Sequence, residues 1–413
     1  MRKLIICLFG LFLFPFLAVP SFSSEPIILG VPTSLKLIHG HDGFRAVQLA
    51  AEEINAKGGF KVGKETRLFK VEGLDIRDGE PGVPTSEALL GIEKLILDKK
   101  VYACVIGNFR SEALLAAMDI YSKYKIINFG NIAMSPKFQE KLLSNKEKYK
   151  YSFRSCLDSV GLAKYMQGVM TEIGKEFKYN KAFIITQDVL WATATGSLME
   201  KWFKENGWEV LGFEKFPTGA TDFSTALMKV NSTGAQTLFP IFDMQTSGIL
   251  VKQWRAMKVP AIFVGILPFT GAKTWKALEG EIEGAINFIY EIGQIPVKAH
   301  PKSVQFYDAY QKRWNEEVQA SHGASSGYDS VYMLKEAIEK AGTLDKDKVV
   351  AVLEKIDFDG VIGRVRFDEG HQVIFGDDPK KTAVGCAFQW QKGKRIVVFP
   401  SQIKEGSIEK PTY

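Results

Sequence analysis

The chain has 413 residues, too many for one ordinary core, and carries 53 basic against 47 acidic side chains for a formal net charge of +6. Those charges are interspersed rather than blocked, so no nucleic-acid partner is implied. Its four cysteines show neither CxxC nor metal-ligand spacing, which excludes a cysteine-built metal module.

The opening stretch, MRKLIICLFGLFLFPFLAVPSFSSEP, places Arg2 and Lys3 before an apolar run from Leu4 to Val19, then small residues that suit cleavage near Ser23. We read residues 1–23 as a secretory signal. The run is shorter than the roughly 20 residues a bilayer requires, and Cys7 sits inside it rather than just after it, so neither a retained anchor nor a lipid-modified N-terminus is expected. The mature protein is then soluble and exported to the periplasm, with Cys104, Cys156 and Cys386 as buried free thiols.

From Pro26 the elements alternate. IILGV reads as a strand, and the helix that follows from Asp42 repeats Phe44, Val47, Ala51 and Ile54 at three- and four-residue steps until Gly58 and Gly59 stop it. Next come the strand RLFKVEGLDI, a Pro/Gly-rich loop, a helix through SEALLGIEKLILD, the strand VYACVIG, a helix through SEALLAAMDIYSKY and the strand KIINFG. A polar segment, KFQEKLLSNKEKYKYSFRS, interrupts the order. The alternation restarts at KAFIITQ and runs through WEVLGF, TLFPIF, AIFVGI and GAINFIY with helices between. Two long amphipathic helices over 301–341 and a strand-rich tail from Gly360 complete the chain. Such alternation specifies α/β architecture with helices on both faces of a parallel sheet. We expect two lobes, 24–153 plus 287–358 and 154–286 plus 359–413, with the chain crossing near 153, 287 and 358.

Ligands of open α/β sheets bind beyond the carboxyl ends of the strands, where helix N-termini present unpaired N–H groups. The loops Thr33–His41, 107–112 and 129–135 belong at such an end. Other motifs lead nowhere. GGFKVGKE, from Gly58, has most of a phosphate-loop pattern, but Glu65 stands where a hydroxyl is needed and the segment follows a helix, so a turn is expected there. His39 and His41 have no carboxylate or cysteine cluster nearby in sequence to make a metal site. No cofactor is implied, and GxSxG, GxGxxG and HExxH are all absent, so no enzyme is expected.

Five strings in order, EEINAKGG, VIGNFRSEALLAAMDIYSKYKI, TDFSTALMKV, SGYDSVYMLKEAIEKAG and FDGVIGRVRFDEG, resemble the periplasmic solute-binding proteins of the branched-chain amino-acid ABC importers. The likeness spans nearly the whole chain after the leader. It implies the type I periplasmic binding protein fold, two doubly wound parallel-sheet lobes joined by three crossovers. It also implies a small-molecule ligand held between the lobes and a membrane permease as partner, with the protein acting as a monomer.

The same resemblance supplies site residues. The family's carboxylate-holding serine falls on Ser111, flanked by Phe109 and Arg110; a helix cap is the alternative for Ser111, and a solvated surface residue for Arg110. In the second loop Ala133 keeps its place while Met134 replaces a hydroxyl, and His39 aligns with a first-loop aromatic residue. On the other lobe Trp191 corresponds to a cleft tyrosine. The acid that should pair with a ligand's ammonium is missing, since ILPFTG offers only Leu267 and Phe269. Asp243 is the nearby acid placed to take over, or else a capping residue. An unpartnered buried ammonium costs several kcal/mol, so the sequence favours an organic carboxylate with an apolar or aromatic body over an amino acid. A ligand-sensing receptor or regulator is the reading from another class.

Overall fold

The computed structural model describes residues 25–410, so the secretory signal expected at 1–23 lies outside the described residues. In chain order the first half runs β1 (Ile27–Thr33), α1 (Ile38–Ala56), β2 (Phe60–Val62), β3 (Glu65–Arg67), β4 (Phe69–Asp75), α2 (Thr85–Lys99), β5 (Ala103–Val105), α3 (Ser111–Tyr124), β6 (Ile127–Gly130), α4 (Lys137–Ser144), α5 (Lys146–Tyr149) and β7 (Ser152–Arg154). The second part runs α6 (Ser159–Phe177), β8 (Lys181–Gln187), α7 (Leu190–Glu205), β9 (Glu209–Phe216), α8 (Ser224–Ser232), β10 (Thr237–Ile241), α9 (Ser247–Ala256), β11 (Ile262–Gly265), α10 (Thr274–Ala277) and β12 (Ile286–Ile289). Three helices, α11 (Pro301–Trp314), α12 (Ala324–Ala341) and α13 (Lys346–Leu353), then precede the short pair β13 (Phe358–Gly360) and β14 (Gly363–Val365) and the hairpin β15 (Cys386–Gln391) and β16 (Lys394–Phe399).

The first sheet is parallel throughout, in the order β4-β1-β5-β6-β7. Its inner strands are buried on both faces, with Leu29, Val31, Ala103 and Val105 in one core and Cys104, beside the partly buried Ile28, in another, which is why they read as continuous apolar runs, whereas the edge strand β4 alternates. The second sheet, β16-β15-β12-β11-β10-β8-β9, repeats the same winding in its parallel part and adds β15 and β16 antiparallel at one edge. In both lobes the strand order reverses next to the lobe's first strand, between β1 and β5 and between β8 and β10. That reversal opens a crevice where ligands of such sheets bind.

α12 belongs with the first lobe. Val331, Leu334, Ala337 and Ile338 recur on one face and are buried in the same core as Val47, Ala50, Ala51 and Ile54 of α1. Two lobe boundaries differ from the sequence expectation. β12 hydrogen-bonds within the second sheet, so the second crossing follows Ile289 instead of falling near 287. Ile362, Val365, Phe367, Val373 and Ala383 all pack in the first lobe's core, so the third crossing comes just before β15 rather than near 358. The alternating strand pattern of this tail does not reveal which core it serves. The segment from Gly58 is the hairpin β2–β3, consistent with the turn expected there.

The first crossing is paired with the tail segment that leads on to the third. Arg154 donates its backbone N–H to the His371 carbonyl (2.9 Å) and accepts from Val373 N–H (3.0 Å). Its guanidinium is fully buried and binds Gln372, the Ser135 carbonyl and Asp158. The second crossing is tied to α12 by the buried Glu291 carboxylate, which accepts from Gly323 N–H (2.7 Å) and Ser326 N–H (3.1 Å) at the start of that helix.

Candidate functional site: a cleft between two facing switch points

The loops after β1, β5 and β6 face the loops after β8, β10 and β11 across one cavity. His39, Phe109, Ser111, Ala133 and Met134 line it from the first lobe and Trp191, Asp243 and Leu267 from the second. Arg110 stands at its edge, with the guanidinium over the Phe109 ring (5.0 Å to the centroid). All nine candidate residues are thus brought together. Phe269 instead packs against the second lobe's core.

Each position has a local cause. His39 lies in the first turn of α1, and the β1–α1 loop can fold back on that turn only because position 40 is glycine. A Cβ there would stand 2.2 Å from the Ser34 carbonyl oxygen. Ser111 opens α3, but its side chain does not cap that helix. Its Oγ accepts Ser135 N–H (3.2 Å), which joins the second and third loops of the lobe and leaves the hydroxyl proton available to a ligand. The N-terminus of the 14-residue α3 adds a favourable field for an anion. Asp78, close behind, accepts Arg110 N–H (3.0 Å) and the Ser34 hydroxyl (2.8 Å), and burial raises its carboxyl above the ordinary range.

Asp243 does not cap α9, whose cap position is Thr246. Its Oδ2 accepts from Arg110 Nη1 of the opposite lobe at 2.8 Å and from Trp191 Nε1 at 2.8 Å, while Gln187 Oε1 accepts the Asp243 backbone N–H (3.1 Å). The Arg110–Asp243 pair therefore bridges the lobes, with side chains only 16% and 13% exposed. Trp191 is both a cavity wall and part of the second lobe's buried core.

The sequence missed several residues that line the cavity. Tyr290 ends the strand region before the second crossing, and Ser321 and His322 come from the loop between α11 and α12. Asp42 holds that loop on α1, accepting from Gln319 N–H (2.7 Å), Ala320 N–H (2.9 Å) and the Tyr310 hydroxyl (2.9 Å). The remaining lining residues, Ile132, Phe242, Ile266 and Pro268, are apolar neighbours of predicted positions. His39 and His322 are both nearly inaccessible. Burial lowers the His39 imidazole to about 4 and drives His322 well below the ordinary histidine range, so both are neutral at physiological pH.

With the lobes placed as they are, the cavity's volume is about 20 Å³, little more than one water centre requires. A larger solute enters only if the lobes part. Asp243 is the single carboxylate among the described lining residues. No helix among the described residues is long and apolar enough to cross a membrane.

Residues 35–376 match the family model described as periplasmic binding protein. A Leu/Ile/Val-binding protein homolog 7 of Brucella suis biovar 1 is 22% identical over 375 residues, covering 90% of each chain. The structure of the branched-chain amino acid transporter substrate-binding protein LivJ from Streptococcus pneumoniae in complex with isoleucine superposes with a TM-score of 0.72 at 22% identity, over 91% of this chain and 100% of that one. A solute-binding protein of an ABC transporter from R. palustris in complex with benzoate gives a TM-score of 0.72 at 14% identity, over 94% and 99%. Sheet winding, facing switch points and a family match over most of the length agree, and the chain belongs to the periplasmic binding protein family.

Proposed function

We propose that the protein is the periplasmic solute-binding receptor of an ABC importer and that it captures an organic carboxylate with an apolar or aromatic body for delivery to a membrane permease. The observation that carries the choice of ligand is the state of Asp243. Asp243, the one acid among the described lining residues, already accepts from Arg110 and Trp191, so its charge is balanced before a ligand arrives. An ammonium entering this site lacks a free counter-charge, at a cost of several kcal/mol. A carboxylate finds the Ser111 hydroxyl and the α3 N-terminus, and the walls around it are Phe109, Met134, Trp191, Phe242 and Leu267. Related folds hold both kinds of solute, isoleucine in one neighbour and benzoate in another, so the scaffold itself permits either.

The test is one competition assay at fixed pH comparing leucine with 4-methylpentanoate, its deaminated acid, and with benzoate. The acids bind more tightly if the reading holds. Tighter binding of leucine that is abolished in Asp243→Asn shows instead that Asp243 leaves Arg110 to take the ammonium, and makes the protein an amino-acid receptor.

A further inference from the structure

The cleft contains a polar device that a simple carboxylate leaves unused. His322 Nε2 lies 3.1 Å from the Ile132 carbonyl oxygen, Ser321 Oγ lies 3.1 Å from His322 Nδ1, and His39 Nε2 lies 3.2 Å from Ser321 Oγ. A carbonyl only accepts, so His322 Nε2 carries a proton and donates it. The ring is neutral, and its Nδ1 is therefore a bare acceptor. Ser321 must donate to that nitrogen, which leaves its oxygen to accept, and His39 Nε2 must be the donor. A neutral His39 then has no proton on Nδ1. Every direction in the chain follows from the one carbonyl at its end.

The relay is rigidly held. Tyr290 stacks on His322 with centroids 4.5 Å apart, and the His39 ring lies 4.6 Å from His322 and 5.6 Å from Phe109. The charged groups acting on His39 are Asp243, Asp42 and Arg110. Of these, Asp243 and Arg110 pair with each other and Asp42 is spent on the α11–α12 loop. His39 is 4% exposed, lines the cavity, and has no protein partner for Nδ1 among the described residues.

We propose that His39 is a specificity-determining residue whose fixed Nδ1 acceptor selects solutes carrying a hydroxyl, alcoholic or phenolic, in addition to the carboxylate. This rests on the carboxylate reading above and narrows it. A hydroxyl supplies one donor and no charge, which matches one neutral acceptor. An ammonium brings a full charge that a neutral imidazole does not balance, and a solute without a donor seals Nδ1 away from water unpaired when the lobes close. The unpaired acceptor translates into roughly five-fold to hundred-fold weaker binding.

The experiment titrates matched acids into ligand-stripped protein: 4-methylpentanoate against 2-hydroxy-4-methylpentanoate, phenylacetate against mandelate, and benzoate against 4-hydroxybenzoate, with leucine alongside. At least one hydroxylated acid binds ten-fold or more tightly than its parent, and His39→Phe, which keeps a flat ring but no acceptor, brings that ratio to about one. Parent acids that bind while no hydroxylated partner binds more tightly overturn the role of His39 and leave the carboxylate reading standing. Leucine binding above every acid removes the carboxylate reading and the ligand class together. Nitrogen-15 NMR of the unmodified protein tests the relay without ligand or variant: His39 is expected protonated at Nε2 and bare at Nδ1, and the opposite tautomer overturns the proposal.

Discussion

The contact between Arg110 and Asp243 joins residues 133 positions apart in sequence and belongs to different lobes, so it exists only when the cleft is shut. At 2.8 Å with both side chains mostly buried, the pair is a charge-assisted hydrogen bond, of a kind that contributes about 1.5–3 kcal/mol net. Taking about 2 kcal/mol, the bridge shifts the balance between closed and open free protein by roughly 30-fold. Arg110→Met removes the charge but keeps the stem over Phe109, and Asp243→Asn keeps the shape and removes the charge. Each should open the ligand-free protein by that factor, and the double variant should open it no further. That non-additivity corresponds to a coupling of about 2 kcal/mol. Single-molecule energy transfer between dyes on α2 and α8 reads the two states. The three described cysteines are buried, with burial pushing the Cys104 thiol up to about 12, so introduced surface thiols label selectively. A closed fraction unchanged in both single variants would refute the latch, and additive effects would refute the pairing.

Other consequences are open to measurement. Because the cavity as placed admits about one water, ligand loading requires opening followed by hinge closure; energy transfer between the same dyes should show ligand-free molecules visiting an open state that a saturating ligand removes, and a static closed signal counts against it. Ser111→Ala should weaken a carboxylate ligand by about 1–3 kcal/mol by calorimetry, and unaltered affinity returns Ser111 to its structural bond with Ser135 alone. Arg154→Leu should destabilise by about 3–5 kcal/mol, since it leaves the buried Asp158 carboxylate and the Gln372 carbonyl oxygen without their cation; a loss under 1 kcal/mol in chemical denaturation contradicts this. His39 titrates near 4 when folded against about 6.5 when unfolded, so the unfolded chain binds the extra proton and stability falls as pH drops from 6.5 to 4. His39→Phe should lower the slope of stability against pH over that window by up to about 1.4 kcal/mol per pH unit.

The alternation of apolar runs and amphipathic helices made both lobes legible, and with them the loops that form the cleft, because loops after parallel strands share one edge of the sheet whatever their sequence. What stayed hidden depends on distance in the chain. Ser321 and His322 reach the cleft only because Asp42, nearly 280 residues earlier, accepts from Gln319 and Ala320. No local pattern announces such a bond. Two histidines meeting a serine across 282 positions leave the same blank, and the one available signal was that this chain of few histidines places two of them at helix N-termini, His39 in the first turn of α1 and His322 just before α12. Asp243 shows a further limit: its place beside the cleft was readable from the strand before it, whereas its partner was not, because Arg110 lies on the other lobe and the bond forms only on closure.

Glu291 carries the last prediction. Its carboxylate is fully buried where the chain passes from the second sheet to α12, and it accepts from Gly323 N–H, Ser326 N–H and Gln294 Nε2. Burial outweighs these bonds and pushes it up to about 7. The neighbouring Asp329, which accepts Val361 N–H (2.9 Å) and Ile362 N–H (3.0 Å), is likewise pushed up to about 7 by burial, with Glu291 adding to the shift. A carboxyl raised in the folded state binds more protons folded than unfolded, so its contribution is complete below the unfolded value near 4.5 and is lost as pH rises through about 7. The two groups therefore oppose His39 and His322, whose contribution is lost as pH falls. Stability should rise from pH 4 only as far as these slopes balance, then fall toward pH 8 instead of levelling. Glu291→Gln keeps a carbonyl acceptor for Gly323 and Ser326 and removes the ionisation, so its stability should gain steadily on the parent's as pH rises from 5 to 8, even if its absolute stability is lower. Denaturant titrations across that range decide the matter. Parallel curves for the two proteins would mean that Glu291 ionises as easily folded as unfolded, and that the hold of the second crossing on α12 does not weaken with rising pH.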